Sequence, residues 1–220
     1  MRTLLMFWIA VAAIAMATRA ATAEPTEIIV RVIAKDAKFV GTETGGAKVV
    51  LRDVETGRIL AQGLTTGATG NTPRIMTEPH NRMGTLSDET SAKFSVLLDL
   101  DRPRLISATA TGPMASKERT MTVSSTQWVV PGKSINGGDA WVLELPGFVI
   151  ALERPLPATI KLGGAPQIIP LRARITMQCG CPITPGGLWD ANKLEIGVIL
   201  RRENKTLPPV RLSYAGEPNT

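Results

Sequence analysis

The 220-residue chain holds one histidine, one tyrosine and two cysteines, and aromatics make up 4% of it. Each scarcity removes a kind of chemistry. A serine triad would have to use His80, and the nucleophile-elbow pattern G-x-S-x-G is absent. Two cysteines cannot close a tetrahedral Cys-rich zinc site without further ligands. Few aromatics leave no stacking surface for single-stranded nucleic acid, so nucleic acid is not an expected partner. Beyond Ala17 no apolar run approaches the roughly 20 residues that span a bilayer as a helix, so the mature chain is expected to have no transmembrane segment. Helical periodicity is also nearly missing after that point.

The first residues have the parts of a secretory leader. Arg2 gives a positive start, Leu4 to Ala17 are apolar, and Ala21-Thr22-Ala23 supplies the small-x-small pattern before Glu24. No cysteine lies near the cut, which argues against a lipid anchor. Loss of Arg2 and Arg19 lowers the formal charge from +6 to +4. The remaining basic residues are scattered, so the charge serves solubility or weak attraction to anionic envelope surfaces rather than a nucleic-acid groove. A compact leader of this kind places the protein in the periplasm of a bacterium, or outside the cell.

The rest reads as short β-branched runs punctuated by Gly, Pro, Asn and Asp, the spacing of a sandwich or barrel. In Glu27–Ala34, Ile28, Val30, Val32 and Ala34 alternate with Ile29, Arg31 and Ile33. Runs at 47–53, 58–62, 92–100, 104–111 and 120–125 complete a first set. A second set begins near Trp128, with runs at 140–145, 148–152, 159–162, 168–177, 193–202 and 209–214. The fold class is therefore all-β, with two Ig-like β-sandwich domains after a cleaved signal peptide. The expected divisions are 1–23 for the leader, 24–126 for the first sandwich and 127–220 for the second; one continuous larger sandwich is the alternative. The second set looks one strand short, which would leave an exposed edge. Gly63 to Glu89 is a long polar stretch, and loops of that length are functional or disordered.

One local resemblance carries the Ig-like expectation. Gly46 to Gly67, with Val49-Val50-Leu51-Arg52-Asp53 leading through Val54-Glu55-Thr56-Gly57 to a second strand and Thr65-Thr66-Gly67, resembles the opening hairpin of transthyretin-like and carboxypeptidase-regulatory-like β-sandwich modules. The resemblance covers about 22 residues. It implies a scaffold or binding domain and no catalytic residues.

The chemistry-bearing motif is Met177-Gln178-Cys179-Gly180-Cys181-Pro182. If the backbone is extended, Met177, Cys179 and Cys181 share one face. Three soft sulfur ligands in a row suit Cu(I), and the further ligands would come from His80, Met76 and Met83 in the long loop. As a strained, readily reduced disulfide, Cys179 and Cys181 form an oxidant or isomerase pair. As an inert disulfide they are structural, but adjacent same-face strand positions are about 6.6–6.8 Å apart, so the chain must curl at Gly180. All three readings stay open on sequence. Trp189, in a Pro- and Gly-rich loop, either covers the sulfurs or plugs the core. Asp88, Glu89, Asp99 and Asp101 lack a calcium-loop pattern. The separation of Glu144 and Glu153, which a glycosidase mechanism would require, is not fixed by sequence.

The expected function is thus an exported, non-catalytic binding or accessory module of the periplasm that meets a protein partner or envelope component. Copper at the Cys-Gly-Cys motif is the sharper variant; thiol–disulfide exchange and adhesion or assembly are the alternatives. The leader predicts a periplasmic protein whose intact mass starts at Glu24. A mass that retains residues 1–23 in the osmotic-shock fraction would refute it.

Overall fold

The computed structural model describes residues 22–155, 168–202 and 205–220. Most of the proposed leader, the run at 159–162 and Asn204 of the last expected hairpin lie outside the described residues. What is described is mostly strand with almost no helix, in several sheets. No helix among the described residues is long and apolar enough to cross a membrane.

The first strand, β1 (Glu24–Ala34), is the axis of one sheet. It lies between β4 (Phe94–Leu100), antiparallel from Glu24↔Leu100 to Val30↔Phe94, and β7 (Trp141–Leu145), parallel from Val30↔Trp141 to Ala34↔Leu145. A second, antiparallel sheet runs in the order β3-β2-β5-β6, with β2 at Lys48–Asp53, β3 at Ile59–Leu64, β5 at Arg104–Gly112 and β6 at Met121–Val129. Period-two alternation sends Ile28, Val30 and Val32 of β1 inward against Val49 and Leu51 of β2 and Ile106, Ala108 and Ala110 of β5. All eight side chains are fully buried. The result is a sandwich-like pair of sheets with one apolar interior.

The expected division after residue 126 falls inside β6, and Trp141–Leu145, expected in the second set, completes the sheet built on β1. The Pro131–Gly138 punctuation reads as a linker, yet it is a crossover between sheets. Its backbone bonds to β1, with Ile29 N donating to Ile135 O at 2.9 Å and Ile135 N to Glu27 O at 2.8 Å. Buried Ile175, Met177 and Ile183 from the later half join the same core cluster as β1 and β2.

The long polar stretch is docked onto the outer face of β1. Arg31, 6% exposed and flanked by apolar Val30 and Val32, donates through Nη1 to Ser91 O at 2.5 Å and Ala92 O at 3.1 Å. Its guanidinium lies 5.8 Å from the Phe39 ring centroid, within cation–π range. Burial pulls Arg31 below its ordinary pKa, while the Asp139 and Asp88 carboxylates oppose that shift. Asp139 accepts the amides of Leu86 and Ser87, and Asp88 those of Thr90 and Ser91. Phe39, Ile75 and Ala92 form a small satellite core beneath, with Met76 packed against it.

The hairpin of β2 and β3 is held by its aspartate. Asp53 Oδ2 accepts Arg104 Nη1 at 2.7 Å and Oδ1 accepts the Thr56 amide at 2.9 Å; Gly57, at φ +72°, closes the turn. The Arg104 and Thr56 hydrogen bonds lower the Asp53 carboxyl from 3.8 to about 2. A carboxyl depressed on folding adds stability above its unfolded value and loses that contribution as pH falls through the folded value. We therefore predict that Asp53→Asn lowers denaturant stability above about pH 4, and that the gap to wild type shrinks as pH falls toward about 2. A gap independent of pH over that window would show that the turn's contribution does not come from the ionised carboxylate.

Candidate functional site

The later half of the chain rests on a hairpin of β8 (Phe148–Arg154) and β9 (Arg172–Met177). Their register pairs Phe148 with Met177, Ile150 with Ile175 and Leu152 with Ala173. Directly opposed residues of a pair point to the same face. Over β9 that face is covered, and Ile175 and Met177 are buried. Over β8 it is open: Phe148, Ile150 and Leu152 are 37%, 58% and 52% exposed. Glu153 closes the polar side by accepting Arg174 Nε at 2.7 Å, and it also pairs with Arg172.

The strand stops at Met177, so Met177, Cys179 and Cys181 do not form the extended sulfur row. Gly180 adopts φ +79°, and its amide donates to Met177 O at 2.8 Å. That turn brings the two cysteine Cα atoms to 5.4 Å, well inside the disulfide range whose upper limit an extended strand only just reaches, and the sulfurs are bonded. Glycine is required twice over. The positive φ disfavours any side chain, and a Cβ would sit 2.8 Å from Thr44 Cγ2. Both cysteines belong to the main core, at 2% and 6% exposed. Gln178, which immediately precedes Cys179, is fully buried and donates to Pro146 O at 3.1 Å, tying the curl to the turn between β7 and β8. Trp189 packs against the same core and donates through Nε1 to Asp36 O at 3.0 Å, at the exit of β1. The core it packs against includes Cys179 and Cys181. Asp190 accepts the amides of Gly186 and Asn192, which lower its carboxyl and fix the loop.

The ligands proposed from the long loop are placed separately from this motif. His80 is exposed, with Nε2 2.6 Å from Arg74 O; Met83 is 91% exposed, and Met76 packs into the satellite core. Among the described residues no three His, Cys, Asp or Glu side chains gather as a metal site. Glu144 lies 3.7 Å from Lys35 and Glu153 is held by arginines, so each of these two carboxylates has an ion-pair partner.

Sequence reasoning missed a recess beneath β9. A cavity of about 180 Å³ opens there, floored by Ile175, Ile183, Leu194 and Ile196 and rimmed by Arg211 and Tyr214. Its walls come from five short stretches of chain, at 171–175, 183, 191–196, 211–215 and 219–220. The usable signal was the run of alternating apolar residues at 171–175 and 194–198 in a half too small to bury both.

Comparisons with protein-family models, with curated proteins and with solved structures found no match. The site geometry makes one chemical prediction. Protein purified without reductant should show no thiol to alkylating reagents even when denatured, and two after reduction. Cu(I) should bind, if at all, only to the reduced chain. Two free thiols in the unreduced protein would restore the dithiol ligand set.

Proposed function

We propose that the chain is an exported, non-catalytic β-sandwich module of the periplasm that binds a protein partner or envelope component through the β8–β9 face. The observation that carries this reading is the row Phe148, Ile150 and Leu152, left open on a face whose other strand is buried. Apolar side chains at alternate strand positions form one continuous strip, and burying such a strip is worth about 25 cal/mol per Å² of apolar area removed from water. Contiguous apolar strips on a protein surface mark contact sites more often than isolated apolar residues do. The scaffold beneath is held by side chains whose charges are engaged in structure, notably Glu153 with Arg172 and Arg174.

A second reading, thiol–disulfide exchange, draws on the bonded Cys179–Cys181 pair. It requires a dithiol partner to reach sulfurs that are nearly closed to solvent. The copper reading requires that same bond to be reduced first.

Whole-cell photo-crosslinking tests the main reading. A benzophenone amino acid at Ile150 should give a discrete higher-mass adduct, and the same group at exposed Ser124 on β6 should give none. Adducts of equal yield from both positions, or none from Ile150, would remove the β8–β9 face as the binding surface.

A further inference from the structure

We infer that the recess beneath β9 is a binding site for a small, electron-rich aromatic ring, of phenol to indole size. This goes beyond the β8–β9 surface: the two sites use different residues and either can fail alone.

Size sets the first limit. An apolar cavity of roughly 150 Å³ stays dry and accepts benzene. The present recess, at about 180 Å³, is of comparable size, open to solvent on one side, with Ile175, Ile183, Leu194 and Ile196 as the apolar part of its lining. Shape sets the second. One wall is β9 itself, and another is the extended pairing in which Leu212 N donates to Ile196 O at 2.9 Å. Two extended segments with a gap between them make a slot, which suits a planar group better than a branched one.

The slot is held in place by Asn219. Its carbonyl accepts the Ile175 amide at 2.7 Å, its amide donates to Ile183 O at 2.9 Å, and its side-chain Oδ1 accepts the Ile183 amide at 2.7 Å. Asn219 does this at φ +70°, a conformation asparagine tolerates better than most residues. Three bonds from one residue therefore clasp the tail to β9 and to the segment after the disulfide, so the site is largely formed before a ligand arrives.

Chemistry at the rim sets the third limit. Arg172 and Arg211 both line the cavity. Arg172 is held at 2.7 Å by Glu217, whereas Arg211 is exposed and makes no ion pair among the described residues. A guanidinium over a ring face is worth about 0.5–1 kcal/mol at a partly exposed site, which favours an electron-rich ring over an aliphatic one of equal size. Tyr214, 39% exposed at the mouth, adds a ring edge for offset contact. Ser213 in the lining offers a hydroxyl that makes no hydrogen bond among the described residues, which fits a ligand with a single polar atom. A free aromatic metabolite and an aromatic side chain of a partner peptide share this chemistry.

Amide NMR of the intact-disulfide protein, titrated with indole, phenol, cyclohexanol and N-acetyltryptophanamide, tests the site. Indole or phenol should shift the amides of Ile183, Leu212 and Asn219 saturably and compete for one site. Cyclohexanol should bind roughly two- to fivefold more weakly, the factor equivalent to the cation–π term. Binding of the amide as well as the free rings would assign a peptide side chain as an acceptable source; binding of the free rings alone would assign a small molecule. Ala173→Phe and, separately, Ala191→Phe should fill the cavity and weaken indole at least tenfold. No saturable shift with indole or phenol would overturn the proposal, and so would cyclohexanol binding as tightly. Undiminished indole binding in a folded filling variant would place the ligand elsewhere and overturn it equally.

Discussion

The fold depends on the burial of β1 on both faces and on both edges. Most strands in a sandwich show one face to the core and one to water. In β1, Ile28, Val30 and Val32 face the opposing sheet while Ile29 and Arg31 are buried on the other side. The elements that pack against it supply what this strand needs. Strands β4 and β7 bond its two edges, the crossover through Ile135 extends one of them, and the segment at 63–93 roofs its outer face. Arg31 explains why that roof is specific. A guanidinium desolvated under a loop must be answered by acceptors, and Ser91 and Ala92 carbonyls can answer only if the loop sits in one place.

The strands themselves were legible because alternation is local. Ile28 to Ala34, Val49 to Asp53 and the Thr56-Gly57 turn can each be read within a few residues, and all appear as expected. Long-range partners were not legible. The run at 140–145 looks like the opening of a new unit because Pro131, Gly132, Gly137 and Gly138 precede it. Nothing local says that it pairs in parallel with a strand more than a hundred residues earlier. Arg31 was equally opaque: in sequence it is the polar member of an alternating strand, and only the docked loop reveals that it points into the protein.

The Cys-Gly-Cys motif shows the same division. Its chemistry depended on one backbone angle, and the sequence contained the residue that permits either answer. Gly180 at φ +79° with Thr44 against it chooses the curl, and the curl brings the sulfurs together. Once curled, Cys179 and Cys181 become core side chains beside Met177 and Ile183, with Gln178 anchoring the turn. The recess, by contrast, is assembled from residues spread between 171 and 220, so no window of sequence contains it.

The Asn219 clasp also has a temporal meaning. Asn219 bonds to Ile175 and Ile183, 44 and 36 positions earlier, and it follows in chain order everything that it fastens. A chain emerging from its N-terminus can pair β1 with β4 and fill the sandwich core well before residue 219 appears. The slot beneath β9 cannot close until then. In the order of synthesis its formation therefore follows that of the sandwich core.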